Sequence, residues 1–434
     1  MDKKRLPWYK MDNTSFMYSA IQKEYYSAIY RFSAVMKADV DPEALQRAID
    51  KTMRRFPGFR VRIKQGVFWY YFEPNTAPGP VLKRDVAEPC RPVRFNEDNN
   101  WLVRFYYYGR RISLELFHAL ADGAGAICLL RCLVAQYLRE LGVNVPVSCG
   151  LLDLNEKSTA EEWEDAYSKY AGKQCRVLPL IKRAYLNIGT PEKFYTFNVT
   201  MGFMPVDVLK SKARELGVSI TEYLCAALMY VLIEKQRREN PEKERPVALT
   251  VPVNLRAFFP SKTLRNFILT VQPWVDPSLG NYSFPQIAER IHHYMRLHCN
   301  EPELRAYFSQ NVRMQNNLAL KLVPSFIKGP VMSRSYRERG LKPFSATMTN
   351  PGIFRVPDEM KPYIEHVELI QGQAVAPRPH VAALSYENIM NVTFSGTMRE
   401  NELERDFFRF LVKQGIPVHI ESNRHCPERA KGEV

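Results

Sequence analysis

The sequence predicts a mixed α/β (α+β) sandwich in two lobes, and three observations lead there. Strand-like and helix-like periodicities are interleaved in both halves of the chain. No internal repeat or low-complexity tract points to a solenoid or a coiled coil. The length of 434 residues is about two to three times the usual domain size of roughly 150. With 46% hydrophobic and 12% aromatic residues, the chain can bury a large core, which excludes a disordered or fibrous protein.

The elements follow in order. Asp41 to Phe56 has an Asp cap, Pro42 in the first turn, and Leu45, Ile49, Met53 and Phe56 at helical spacing. Val61 to Phe72 offers two aromatic and β-branched runs around Lys64-Gln65-Gly66, the composition of a hairpin. A second hairpin is expected at 101–117, its return arm alternating from Ile112 to Phe117. Asp122 to Leu141 reads as a helix stopped at Gly142. The acidic, polar stretch 153–175 lacks a strand pattern and begins the crossover between lobes. The expected division is therefore a first lobe over 1–175, a crossover over 176–190 and a second lobe over 191–434. In that second lobe come a strand from Tyr195 to Met204, two helices either side of Gly217, and a strand from Val247 to Pro252. A helix at 285–298 and strands from Phe344 to Asn350 and from Ile364 to Ile370 follow. A hairpin pairs 380–386 with 389–396, and a helix at 401–414 leads to a strand from Pro417 to Glu421.

The formal net charge of +15 suits an anionic partner: nucleic acid, an anionic membrane surface or a phosphorylated substrate. No stretch is long and apolar enough to span a bilayer. The basic start, Met1 to Trp8, lacks the apolar run of a secretory signal. Eight cysteines without CxxC pairs fit reduced, mostly buried thiols, so a cytoplasmic protein is expected. His292, His293 and His298 lack the spacing and neighbouring carboxylates of a zinc site, and no metal is expected. Cys128 and Cys132 share a helix face and read as core. Neither a GxGxxG nor a GxxxxGK[ST] loop occurs, so nucleotide cofactors held by such loops are not supported.

The chemistry concentrates in FHALADG, residues 117–123. It places His118 between a strand end and a helix start, with Asp122 four residues on. By spacing alone, a general base and a histidine satisfied in a tight turn are equally open. An imidazole of pKa about 6.5 is mostly neutral near pH 7, so it can take the proton of an attacking hydroxyl as the new bond forms.

FHALADG resembles the HHxxxDG motif of the condensation-domain and chloramphenicol-acetyltransferase-like acyltransferase superfamily, and its surroundings resemble the alcohol acetyltransferase branch. The supporting stretches are FPGFRVRIKQGVFWYYF, VPVNLRAFFPSKTLRNF, TMTNPG and GIPVHIES, in family order along nearly the whole chain. The resemblance implies a chloramphenicol-acetyltransferase-like fold with the active-site channel between the lobes, and His118 as catalytic base. It also implies that Asp122 pairs with Arg256 of VPVNLR as structural support, away from the substrate; a bidentate pair would pin the loop that aims His118. Phe117 stands where the motif has its first His. Gly123 would let the backbone turn tightly, or is a plain helix-start glycine. Asn350 of TMTNPG is a candidate for lining the oxyanion side of the site; a turn-forming Asn before Pro-Gly is the other reading. Arg334, Arg337, Arg339 and Lys342 could receive the phosphates of coenzyme A or form solvated surface.

The leading expectation is an acyl-coenzyme A-dependent O-acyltransferase, an alcohol acetyltransferase using acetyl-coenzyme A as co-substrate and no permanently bound cofactor. A condensation-type enzyme, taking its acyl group from a carrier protein or using an amine or thiol acceptor, is the second; the chain shows no fused carrier, which favours the first. A basic nucleic-acid-binding protein is the third, and no known binding motif supports it. Acceptor, acyl length and oligomeric state are not legible in the sequence.

Overall fold

The computed structural model describes residues 8–22, 28–94, 97–193, 196–240, 242–336, 338, 342–373 and 379–424. Three sheets carry the architecture. The first lobe is built on a five-stranded sheet in the order Ile364–Gln371, Ile29–Met36, Arg111–Phe117, Val103–Tyr108 and Lys83–Arg84. The second strand in that order, Ile29–Met36, is buried along its whole length. It tolerates Arg31 because that guanidinium is paired with Asp85 at 2.6 Å and Glu115 at 2.7 Å, as a buried charge requires. The helices Pro42–Arg55 and Gly123–Glu140 pack on each other, and the second of them also packs against this sheet. Asp41 caps the first helix through the backbone N–H groups of Glu43 and Ala44.

The second lobe is built on a larger sheet, in the order Ile268–Val271, Val247–Asn254, Ala346–Thr349, His380–Tyr386, Ile389–Gly396, Asn198–Pro205 and His419–Ser422, with Trp274–Val275 paired to the second of these. The helix Ile220–Glu239 packs against the helices Val206–Glu215, Phe284–His298 and Glu402–Lys413. A capping box starts it, in which Ser219 and Glu222 each satisfy the other's backbone N–H. A three-stranded sheet of Tyr9–Lys10, Tyr70–Pro74 and Val61–Gln65 stands apart from both. Among the described residues no single helix is long and apolar enough to cross a membrane.

The expected hairpins and helices are present within a few residues of their predicted bounds. Of the strand predicted from Tyr195, residues Asn198–Pro205 form, and Tyr195 itself lies outside the described residues. Not foreseen were the helix Asn13–Ile21, the strand Ile29–Met36 and the helices Glu301–Asn316, Leu318–Leu322 and Ser325–Ser335.

The division of the chain needs a correction. Residues 191–434 do not all belong to the second lobe, because Ile364–Gln371 pairs antiparallel with Ile29–Met36 and forms the edge of the first-lobe sheet. It also lies against His380–Tyr386 and Ile389–Gly396 of the second sheet. Glu368 fastens it through a two-pronged ion pair to Arg111, both bonds at 2.9 Å. Burial works against the Glu368 carboxylate, yet His366 and Arg111 together hold its pKa below the usual range.

Candidate active site

The strand Arg111–Phe117 ends in the first-lobe core, and the turn that follows it carries His118 out to a different environment. Phe117 is fully buried in the first-lobe core, which explains an apolar residue at that motif position. His118 lines a cavity of about 1190 Å³ that both lobes enclose. Its backbone N–H donates to the Ala28 carbonyl at 2.7 Å. The imidazole stacks on Tyr18, ring centres 4.4 Å apart, and meets the edge of Tyr30 at 4.9 Å. The Tyr30 hydroxyl in turn donates to the carbonyls of Ala121 and Asp122, so the loop is closed on its aromatic wall.

The second lobe supplies the partner that orients the ring. Asn266 Oδ1 lies 3.2 Å from His118 Nδ1, while Asn266 Nδ2 donates to the His118 carbonyl at 2.9 Å. One amide thus holds both the ring and the backbone of the same residue. Because an amide oxygen only accepts, Nδ1 carries the proton and Nε2 keeps the free lone pair. Burial lowers the His118 pKa, outweighing the upward pull of its own backbone carbonyl, of the Asp122 charge and of Asn266. The neutral, proton-accepting form is therefore favoured.

Asp122 is only 1% exposed. Its Oδ1 caps the helix Gly123–Glu140 by accepting from Ala124 N and Gly125 N, and its Oδ2 accepts from Phe267 N and from Arg256 Nη1, both at 2.8 Å. The expected pair with Arg256 is present, but it is not bidentate. A single guanidinium nitrogen reaches the carboxylate, and Nε and Nη2 donate instead to the carbonyls of Thr263 and Arg265. The reason is that Asp122 already shares its two oxygens among three backbone N–H groups. Arg256 therefore ties the carboxylate to the segment 263–267, which folds over the His118 loop. Arg265 adds an ion pair to buried Asp12 at 3.0 Å.

Gly123 does not adopt the left-handed conformation that a tight turn would require. The glycine that the close approach does demand is Gly125: a Cβ there would lie 2.1 Å from the Leu264 carbonyl oxygen. Asn350 lines the cavity, but its side chain is engaged, Oδ1 accepting from Gly352 N at 2.9 Å and Nδ2 donating to Thr221 Oγ1 at 3.0 Å. That is the geometry of a turn-forming asparagine. Of the predicted basic cluster, Arg337 and Arg339 lie outside the described residues. Arg334 is exposed, Lys342 is paired with Glu338 at 2.7 Å, and neither lines the cavity. The lysines that do line it are Lys10, Lys321 and Lys328.

Sequence reasoning missed Asn266, Gly125, the two tyrosines and these lysines. Asn266 stands in SKTLRNF, inside a stretch that carried the resemblance, but 148 residues separate it from His118, and nothing local to it announces the contact. Among the described residues no group of three His, Cys, Asp or Glu side chains is placed to hold a metal ion.

No family model matches the sequence, and no curated protein matches it either. Solved structures match along almost the whole chain. Polyketide synthase associated protein 5 from Mycobacterium tuberculosis is 14% identical, with 94% of this chain and 98% of that one covered at a TM-score of 0.61. The trichothecene 15-O-acetyltransferase from Fusarium sporotrichioides is 10% identical, with 95% and 99% covered at 0.60. The starter condensation domain of rhizomide synthetase, solved as a mutant with C8-CoA and Leu-SNAC, is 14% identical, with 93% of each chain covered at 0.56. The fold is therefore the two-lobed one of condensation domains and chloramphenicol-acetyltransferase-like enzymes.

Proposed function

We propose that this chain is an acyl-coenzyme A-dependent O-acyltransferase that moves a short acyl group, acetyl in the simplest case, to an alcohol. The observation that carries the reading is the His118 ring held in one tautomer by Asn266 at the wall of a channel between the lobes. Two structural neighbours of the same fold support it, one named as an O-acetyltransferase and one solved with an acyl-coenzyme A.

In this mechanism the acceptor hydroxyl donates its hydrogen bond to His118 Nε2. As the oxygen attacks the thioester carbonyl, the proton passes to Nε2 and the carbonyl becomes an oxyanion. The tetrahedral intermediate collapses by expelling the coenzyme A thiolate, and the imidazolium returns the proton to that sulfur. His118 ends neutral, and no acyl-enzyme forms. Asn266 accepts from Nδ1–H throughout, so the positive charge on the ring is met by an amide oxygen and not by a carboxylate. Asp122 acts one step removed: it caps the helix and fastens 263–267 and does not touch the imidazole.

The test is coenzyme A release by the purified chain given acetyl-coenzyme A and a panel of alcohols. Sustained release that depends on the alcohol is expected. His118→Ala should lower it by about 10²–10⁴-fold while the protein still folds. Release from wild type that no alcohol stimulates, or a fully active His118→Ala, would overturn the reading.

A further inference from the structure

The cavity opens at a rim made by five segments that hydrogen bonds and ring contacts draw together. Gln315 Nε2 donates to the Met11 carbonyl at 3.1 Å, joining the end of the helix Glu301–Asn316 to the segment that follows the strand Tyr9–Lys10. Lys328 Nζ donates to the carbonyls of Phe68 at 2.8 Å and Lys321 at 3.1 Å, joining the helix Ser325–Ser335 to the hairpin tip and to the helix Leu318–Leu322. Trp8 meets Tyr71 edge-on.

From these segments large apolar side chains stand in solvent, among them Trp8, Val67, Trp69, Leu318, Leu322 and Val331, between 46% exposed for Trp69 and 75% for Leu318, and Trp8, Trp69 and Val331 line the cavity itself. Single exposed leucines are ordinary on a protein surface, but a set gathered around one opening is an interaction surface. Charge selects the partner. Lys10, Lys321 and Lys328 line the same cavity, and among the described residues none of them pairs with a carboxylate; the one acidic residue lining it, Asp122, is closed off under Arg256. The whole chain adds a net charge of +15.

We propose that this rim docks on an anionic lipid surface, with the tryptophan and leucine side chains entering the headgroup region and Lys10 and Lys321 facing lipid phosphates. Tryptophan and leucine on one side with lysines among them is the composition of a segment that lies in a bilayer interface. Each lysine held near an anionic leaflet adds attraction that salt screens, and the apolar side chains add burial that salt does not screen. The short helix Leu318–Leu322 places Leu318 and Leu322 one turn apart, so both reach the surface together. Docking in this pose presents the channel mouth, and through it His118, to the membrane. The docking stands apart from the acyl-transfer reading, since it needs the rim and not the base.

The experiment is sedimentation of the purified full chain with vesicles of phosphatidylcholine, alone or with one part phosphatidylglycerol to two of phosphatidylcholine. Binding to the anionic vesicles is expected, several-fold above binding to phosphatidylcholine alone, with a blue shift of tryptophan emission. The double variant Leu318→Ser/Leu322→Ser removes two exposed side chains, should melt like wild type, and is expected to lose about tenfold in vesicle affinity. His118→Ala should bind like wild type, which separates failure of the docking from failure of the chemistry. Wild type that stays in the supernatant with anionic vesicles, or a double variant that binds them unchanged, overturns the proposal. So does self-association that the same double variant abolishes, because a second copy of the chain would then be what covers the rim.

Discussion

Taking the amide from Asn266 would leave the His118 ring free to turn about its χ2 bond and would free the His118 carbonyl that the same amide holds. Asn266→Ala should therefore lower kcat, by about 10–10² as for other residues that orient a reacting imidazole, and leave KM nearly unchanged. A pH profile separates this from a merely structural loss. The bond to Asn266 raises the His118 pKa, so its removal should move the acid limb of kcat/KM to lower pH. Asn266→Asp, which restores the acceptor and adds a negative charge, should move it to higher pH. An unmoved limb in both variants would reject the positioning role. In the wild type the base loses activity only on protonation, and because burial has lowered its pKa from the ordinary 6.5, the plateau should continue below that pH before activity falls.

The segment 263–267 is the element on which the site depends, since Thr263, Arg265, Asn266 and Phe267 each bond to a group of the His118 loop or to Arg256. Asp122→Asn should destabilise the protein by about 3 kcal/mol, the lower end for breaking a buried pair, because the backbone donors remain. Activity should fall with it. A melting temperature unchanged while activity disappears would instead assign Asp122 a direct part in the reaction. Gly125→Ala tests the same crossing by sterics: a methyl 2.1 Å from the Leu264 carbonyl oxygen must displace the segment, at about 1–3 kcal/mol or more, and a variant as stable as wild type would show that the segment gives way freely. This crossing explains what was legible in the sequence. Asp122 and Arg256 could be paired because each stands in a motif with a recognisable neighbourhood. The strand Ile29–Met36 escaped notice because burial on both faces erases the alternation that marks a strand, and Arg31 within it reads as a solvent-facing charge until Glu115 and Asp85 are found beside it. The helix Glu301–Asn316 was by contrast legible, since Leu304, Tyr307, Phe308 and Val312 stand at helical spacing behind Asn300 and Pro302.

At the scale of the molecule, His118 comes from the first lobe and Asn266 and Arg256 from the second half of the chain, so the proposed reaction needs both lobes in register around one channel. In the proposed mechanism donor and acceptor meet in a ternary complex, where proximity contributes to the rate. Initial-rate measurements should give intersecting double-reciprocal lines; parallel lines with a trapped acyl-enzyme would require a nucleophile and end the direct-transfer mechanism. The strand Ile364–Gln371 carries a further consequence, for how the protein is made. The first-lobe sheet waits for an edge strand that the ribosome delivers more than 300 residues after Ile29–Met36 has emerged. Until then the N-terminal half has an unpaired sheet edge, open to wrong pairing with other chains. A cut at the crossover would thus leave the first-lobe sheet without its edge strand, so the two lobes are one unit of synthesis and folding even though they look like two domains.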